Sequence, residues 1–270
     1  MPQETQKGGV LSLKLPGTDS ELEIDIFERA EKKYRLTEAQ FDSLIKVVQN
    51  HCEPDIYPES DVLSLYYDTP NSRLIRDSLD KPAYKEKLRL RAYGVPDDNS
   101  AAFVEIKKKV GSIVYKRRVM MNYRRAVEYL EGDSPPPFAC QVIKEVDYIK
   151  TFYGGVMPSI IISYHRLAFM GGEDGDLRIT FDDEATARDT DLDLAAGIFG
   201  TPLLGDGERI LEIKTHLALP PWLSSALDEY RIYPNSFSKY GVAYSDFSNL
   251  PFAVIARESK SKSKLQLTAN

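Results

Sequence analysis

From Lys85 the chain reads KEKLRLRAYG, and cations and leucines exchange places at every step through Lys87-Leu88-Arg89-Leu90-Arg91. In an extended strand successive side chains leave on opposite faces, so Lys87, Arg89 and Arg91 share one side and Leu88 and Leu90 the other. The same period of two runs through AAFVEIKKKV and SIVYKRRVMM, which Gly111-Ser112 separates as in a hairpin. It returns in ELEIDIFERAEKKYRL, DVLSLYYDT, PSIIISYHRLAFM, DLRITFDDEA and ERILEIKTH. A period near 3.6 marks other stretches. TEAQFDSLIKVVQN opens on Thr37 with Gln40 three residues on, a capping box, and sets Phe41, Leu44, Ile45 and Val48 on one stripe. SRLIRDSL, YRRAVEYLEG, FACQVIKEVDYIKTFY and PPWLSSALDEYRI also read as helical, and SFSKYGVAYSDF as a loop entering a helical turn. About eight strands with short connections predict an α+β chain: an eight-stranded antiparallel β-barrel with helices packed outside.

The helices decide which strand face is internal. Their apolar stripes must pack on apolar strand faces, so the charged faces point into the barrel. By phase these carry Lys87, Arg89 and Arg91; Glu105 and Lys107; Lys116 and Arg118; Tyr164 and Arg166; Arg178, Thr180 and Asp182; and Glu212 and Lys214. Asp182 faces inward unless a bulge exchanges it with Asp183. Lys108, Lys109, Arg117, Arg124 and Arg125 fall out of phase, at strand ends or on a helix. Unpaired buried charges each cost several kcal/mol, so such a lumen must hold water, counter-anions or a polyanionic ligand.

Composition narrows the partners. The 270 residues are 42% hydrophobic and 28% charged, as in one soluble globular domain, expected over residues 21–250 with polar, flexible ends at 1–20 and 251–270. Thirty-five Lys and Arg against 41 Asp and Glu give 35 − 41 = −6, so the molecule as a whole does not attract nucleic acid or an anionic membrane, and a polyanion site must be local. Cys52 and Cys140 form no CxxC pair and His51, His165 and His216 stand alone, which points away from zinc and disulfides and toward a reducing, cytoplasmic setting. No stretch has the apolar length to span a bilayer, so no direct membrane insertion is expected. Asp189, Asp191 and Asp193 lack the glycine and glutamate of a calcium loop and read as a solvated loop.

Eight short motifs stand in a recognisable order: Arg29-Ala30-Glu31-Lys32-Lys33-Tyr34, Arg89-Leu90-Arg91, Glu105-Ile106-Lys107, Tyr115-Lys116-Arg117-Arg118, Tyr164-His165-Arg166, Leu177-Arg178-Ile179-Thr180, Leu211-Glu212-Ile213-Lys214 and Ser236-Phe237-Ser238-Lys239-Tyr240. Over roughly residues 25 to 248 the chain resembles the VTC (vacuolar transporter chaperone) domain, the polyphosphate polymerase branch of the triphosphate tunnel (CYTH-like) metalloenzymes. The resemblance implies a tunnel that binds ATP, uses Mn²⁺ or Mg²⁺, and moves the γ-phosphate onto inorganic polyphosphate. By carry-over, Lys33, Arg89, Arg91 and Glu212 are the expected catalytic set. Lys87, Lys107, Lys116, Arg118, Arg166, Arg178, Lys214, Ser238 and Lys239 are the expected phosphate contacts. Glu212 resembles the metal carboxylate, with Glu31 and Asp182 as further candidates; Glu105 is either a metal-side carboxylate or a charge partner. Export of the product through a separate membrane protein stays open.

Two other functions compete. A tunnel-fold triphosphatase normally opens on E-x-E-x-K, where this chain has Arg29, Glu31 and Lys33; a cation at the first position weakens metal loading and the setting of a hydrolytic water. A noncatalytic polyphosphate-binding module would need neither Lys33 nor Glu212.

Overall fold

The computed structural model describes residues 5–7, 10–14, 21–27 and 30–248, apart from 81, 112, 133, 137, 172–175, 216 and 217, and before residue 31 gives strand backbone alone. The elements run β1 (Thr5–Lys7), β2 (Val10–Lys14), β3 (Glu21–Phe27), β4 (Ala30–Leu36), α1 (Glu38–His51), β5 (Cys52–Asp68), α2 (Arg73–Leu79) and β6 (Tyr84–Tyr93). There follow β7 (Ala101–Val110), β8 (Ile113–Asn122), α3 (Tyr123–Glu131), α4 (Gln141–Phe152), β9 (Met157–Gly171), β10 (Leu177–Arg188), β11 (Thr201–Pro202), β12 (Arg209–Thr215), α5 (Pro221–Glu229) and α6 (Lys239–Phe247).

All the strands join one antiparallel sheet in the order β1-β2-β3-β8-β7-β6-β5-β9-β10-β12-β4, with β11 added on β10. The α+β expectation stands, an antiparallel sheet with helices outside, and the sheet adds strands to the eight counted from the sequence. ELEIDIFERAEKKYRL divides into β3 and β4, which take different partners, and β1, β2 and β11 are too short to announce themselves. Two of these short strands lie within the first twenty residues, where polar composition predicts a flexible end; the expected flexible tail at 251–270 lies outside the described residues. The hydrogen-bonded ladder runs open from β1 to β4, and chain connectivity closes the shape instead. Phe27 ends β3 and Ala30 begins β4, three Cα steps or at most about 11 Å apart. Strands far apart in the ladder must therefore approach, and the sheet curls until Lys107 of β7 lies 3.6 Å from Glu31 of β4.

The outer face is apolar and the helices cover it. Leu63, Leu65, Leu88, Leu90, Val104, Ile106 and Val119 pack under α3 and α4 against Ala126, Leu130, Val142, Ile143 and Val146. On the other flank, Tyr34, Leu36, Ile179, Phe181, Leu211 and Ile213 meet Leu44 and Val48 of α1 and Leu223 and Leu227 of α5. Each fully buried Leu or Ile contributes roughly 1.5–3 kcal/mol. A one-residue slip would forfeit that along a strand and drive guanidinium groups under the helices, so the register is strongly specified.

Thr37 caps α1 in the expected capping box, its side chain accepting from the Gln40 amide while the Gln40 side chain accepts from the Thr37 amide. A third cluster lies on the inner face at the α2 and α6 end, where Val62, Tyr66, Ile160, Ile162 and Tyr164 meet Ile75, Tyr240 and Ala243. Asp68 ties that end together: it accepts from the Leu74 and Ile75 amides and from the Tyr240 hydroxyl. In the loop of Asp189, Asp191 and Asp193, the Arg188 guanidinium donates to the carbonyls of Asp191, Asp193, Gly197 and Phe199.

Candidate active site

Strand phase delivers the inner wall. Across β5, β6, β7 and β8, ladder partners set Tyr66 beside Arg89, Arg89 beside Glu105 and Glu105 beside Arg118; one step along lie Lys87, Lys107 and Lys116. Across β10, β12 and β4, Thr180 pairs with Glu212 and Glu212 with Lys33, flanked by Arg178, Lys214 and Glu31. The β10 ladder shifts only after Asp183, so Asp182 stays inward and Asp183 turns outward to His165 and Arg209. Lys108 and Arg117 also face outward, both paired with Glu145 of α4.

Among the described residues eleven cations share this interior: Lys33, Lys87, Arg89, Arg91, Lys107, Lys116, Arg118, Arg166, Arg178, Lys214 and Lys239. Among the described side chains five carboxylates accompany them, Glu31, Asp55, Glu105, Asp182 and Glu212. The described part of the inner wall carries more cations than acids, inside a chain whose formal charge is −6.

Three carboxylate centres organise it. Glu105, 1% exposed, lies 2.6 Å from Arg89, 3.1 Å from Lys116, 3.8 Å from Arg91 and 4.0 Å from Arg118. Asp182 receives Arg166 in bidentate fashion at 2.6 and 2.9 Å and the Lys239 ammonium at 2.5 Å. Glu212 lies 2.9 Å from Lys214 and 3.9 Å from Lys33, and Lys33 reaches Glu31 at 3.3 Å. Burial pushes all these acids up, but the surrounding cations outweigh it and hold Glu105 and Glu212 well below the usual carboxylate range, with Glu31 and Asp182 also lowered.

Ser238 caps α6, its hydroxyl accepting from the Gly241 amide, and delivers Lys239 onto Asp182 and over the Tyr164 ring. Every residue given a role by carry-over is described, and most join this network directly; Ser238 only caps α6, and Lys87 lies over the Tyr240 ring, 5.6 Å from its centroid. Arg178 is held to one side by Asp55 at 2.8 Å. Sequence reasoning missed Ser64 and Tyr66, which accept from Arg91 and Arg89. They share the inner phase of β5, but Val62, Ser64 and Tyr66 are uncharged, so the alternation in that stretch carried no signal.

Among the described residues no group of three or more His, Cys, Asp and Glu gathers to hold a metal by itself. Among the described inward carboxylates, Glu31 and Glu212 share a neighbour in Lys33. Two carboxylates suit Mg²⁺ or Mn²⁺ only when phosphate oxygens and water complete the shell, the usual arrangement where the substrate is a phosphate. The residues fit a cation that arrives with the anion.

Burial brings the Lys87 and Lys116 ammonium groups down to about 8. Burial pushes the Tyr66 phenol up, but Arg89, Lys87 and Arg91 outweigh it and bring it to about 8. A bound polyanion raises all three, because negative charge favours ammonium and disfavours phenolate. Tripolyphosphate binding at pH 8 to 9 is therefore expected to take up protons, and at pH 6.5 to take up none through these groups. Calorimetry in buffers of different ionisation enthalpy reads the number directly; uptake equal at both pH values would contradict the assignment. Without ligand the sign for stability follows: below about 8 the buried ammonium groups disfavour the fold. Between 8 and the unfolded lysine value near 10.4 the unfolded chain binds more protons, so their contribution to stability rises with pH.

Residues 28–247 match the model of the VTC domain. The chain belongs to the VTC domain family. That membership makes it a polyphosphate-related tunnel enzyme. A comparison with curated proteins returns no match. Among solved structures, a candidate adenylate cyclase of Bacillus halodurans is similar at TM-score 0.49 and 13% identity, over 78% of this chain and 96% of that one. A candidate adenylyl cyclase of Hippeastrum, described as having a dominant triphosphatase activity, is similar at TM-score 0.47 and 15% identity, over 82% of this chain and 96% of that one. At that distance neither bears on the activity of this VTC domain. Among the described residues no helix is long and apolar enough to cross a membrane.

Proposed function

We propose that this VTC domain is a polyphosphate polymerase that moves the γ-phosphoryl group of ATP onto a growing inorganic polyphosphate chain inside its basic tunnel. The observation that carries the reading is the state of the tunnel acids. Among the described residues every inward carboxylate is engaged by a cation, and His165 lies outside with Asp183 and Glu59. Hydrolysis calls for a group that sets and deprotonates an attacking water. Transfer to a phosphate chain calls for no base, since the attacking oxygen is already anionic; the obstacle is repulsion between two polyanions.

The eleven described cations answer that obstacle. A terminal oxygen of the chain attacks the γ-phosphorus, the bond from that phosphorus to the β–γ bridging oxygen breaks, ADP leaves and the chain gains one phosphate. Charge builds on equatorial and leaving oxygens in such a transfer, so fixed cations do most of the catalytic work. Arg89 and Arg91 offer planar forks for phosphate oxygens, Lys107, Lys116 and Lys214 compact charges, and Lys33 a cation beside the Glu31 and Glu212 pair. Glu212, with Glu31, would hold Mn²⁺ or Mg²⁺, which when bound neutralises phosphate charge.

Incubation of the purified chain with ATP and Mn²⁺, with products separated on a gel, tests the reading. Long phosphate chains with ADP are expected. Free phosphate without chains would mean a triphosphatase, and unchanged ATP together with tight polyphosphate binding would mean a noncatalytic module.

A further inference from the structure

Arg89 is held more tightly than its role as a phosphate contact requires. Its Nε and Nη2 both meet Oε2 of Glu105, at 2.7 and 2.6 Å, and its Nη1 donates to the Tyr66 hydroxyl at 3.0 Å. A guanidinium carries five N–H donors, so three are engaged within the protein and two remain. The three side chains lie abreast on β5, β6 and β7, where Tyr66 pairs with Arg89 and Arg89 with Glu105. Each prop is itself fixed. Glu105 is buried among Arg91, Lys116 and Arg118 as well as Arg89. Tyr66 stacks on Tyr240 with centroids 4.3 Å apart and planes 20° apart, and the Tyr240 hydroxyl donates to the buried Asp68.

We propose that Glu105 and Tyr66 are positioning residues that lock the Arg89 fork in one orientation, Glu105 acting as a fixed counter-anion and not as a metal ligand. A flexible arginine would have to be ordered by the substrate itself, and the cost would come out of binding. Here the ordering is complete beforehand, and the two unengaged donors stand ready for a phosphate oxygen. A divalent cation on Glu105 would stand among four cations already within 4.0 Å of that carboxylate. Repulsion at such distances is strong in a buried site. Glu31 and Glu212 offer a less crowded place. The assay, though not the geometry, rests on the polymerase reading.

The test is a pair of double-mutant cycles in the ATP and Mn²⁺ assay, with Y66F, E105Q, R89K and the doubles Y66F/R89K and E105Q/R89K. Y66F and E105Q are each expected to lower kcat about 10-fold or more, as loss of a supporting contact commonly does. The Mn²⁺ concentration for half-maximal rate should stay within about twofold of that of the unaltered protein. R89K should add little in either background, because a lysine has no fork left to aim. An R89K effect that multiplies undiminished in both backgrounds overturns the proposal, as does a rise of about tenfold or more in the Mn²⁺ requirement of E105Q. Should circular dichroism show E105Q unfolded, the Y66F cycle decides alone, since it removes one hydroxyl and leaves the ring stack and all charges in place. If the unaltered protein makes no polymer, the polymerase reading fails, and the same cycles are then read on tripolyphosphate affinity by calorimetry. Coupling there supports the positioning role, and additivity overturns it.

Discussion

Arg89→Ala is expected to lower the rate of polymer formation by on the order of 10² to 10³, roughly 2.7–4 kcal/mol of transition-state stabilisation, in a protein that still folds. The two halves of that result have separate causes. The lost rate follows from removing a fork that two neighbours hold in place, since interactions with developing phosphate charge are worth most when the donor needs no reorganisation. The surviving fold follows from Glu105. Stripping the sole partner from a buried ion costs about 3–5 kcal/mol, but Glu105 keeps Lys116, Arg91 and Arg118 within 4.0 Å. Lys33→Ala is expected to act similarly, because it leaves Glu31 and Glu212 without the ammonium they share. Lys108→Ala serves as the control: its partner Glu145 lies on α4, on the outer face, and keeps Arg117. Gel assays of the three variants, with circular dichroism to check folding, decide the matter. Equal rates in all three would refute the site.

Tripolyphosphate is expected to raise the melting temperature by roughly 5–10 °C at a hundred times its dissociation constant. Mass action at that ratio stabilises by about 2.7 kcal/mol, and each kcal/mol moves the melting point of a domain near this size by about 2–4 °C. The effect should fade in 1 M NaCl, where screening acts within about 3 Å. Scanning fluorimetry at low and high salt measures both. An uncharged ligand of similar size has no such leverage, and a melting point indifferent to tripolyphosphate at low salt would mean that the inner wall does not bind condensed phosphate.

Much of this was legible before any coordinates. The alternation at Lys87-Leu88-Arg89-Leu90-Arg91 sends leucines under α3 and α4 and cations inward, and apolar helix stripes alone supplied the direction. Thr37 and Gln40 marked the start of α1 because a capping box is a local device, complete within four residues. The illegible parts depend on long-range contacts. That ELEIDIFERAEKKYRL divides between opposite parts of the sheet follows from which strands β3 and β4 meet, β8 and β12 respectively, and no local propensity encodes that. Tyr66 carried no signal of its own, because tyrosine serves equally in a core. Its function comes from Arg89, 23 residues away, and from Tyr240, far along the chain. Asp182 and Asp183 could be told apart only by where the β10 ladder shifts, which is after both.

The surplus of cations along the inner wall has a kinetic consequence. A condensed phosphate held by many charges at once departs only when all let go together, so each added unit lengthens its stay until the wall is filled. Once the molecule outgrows the wall, further units add no grip, and slippage from one set of contacts to the next becomes easier than escape. On the proposed polymerase reading such a surface favours processive growth, with few long products in place of many short ones.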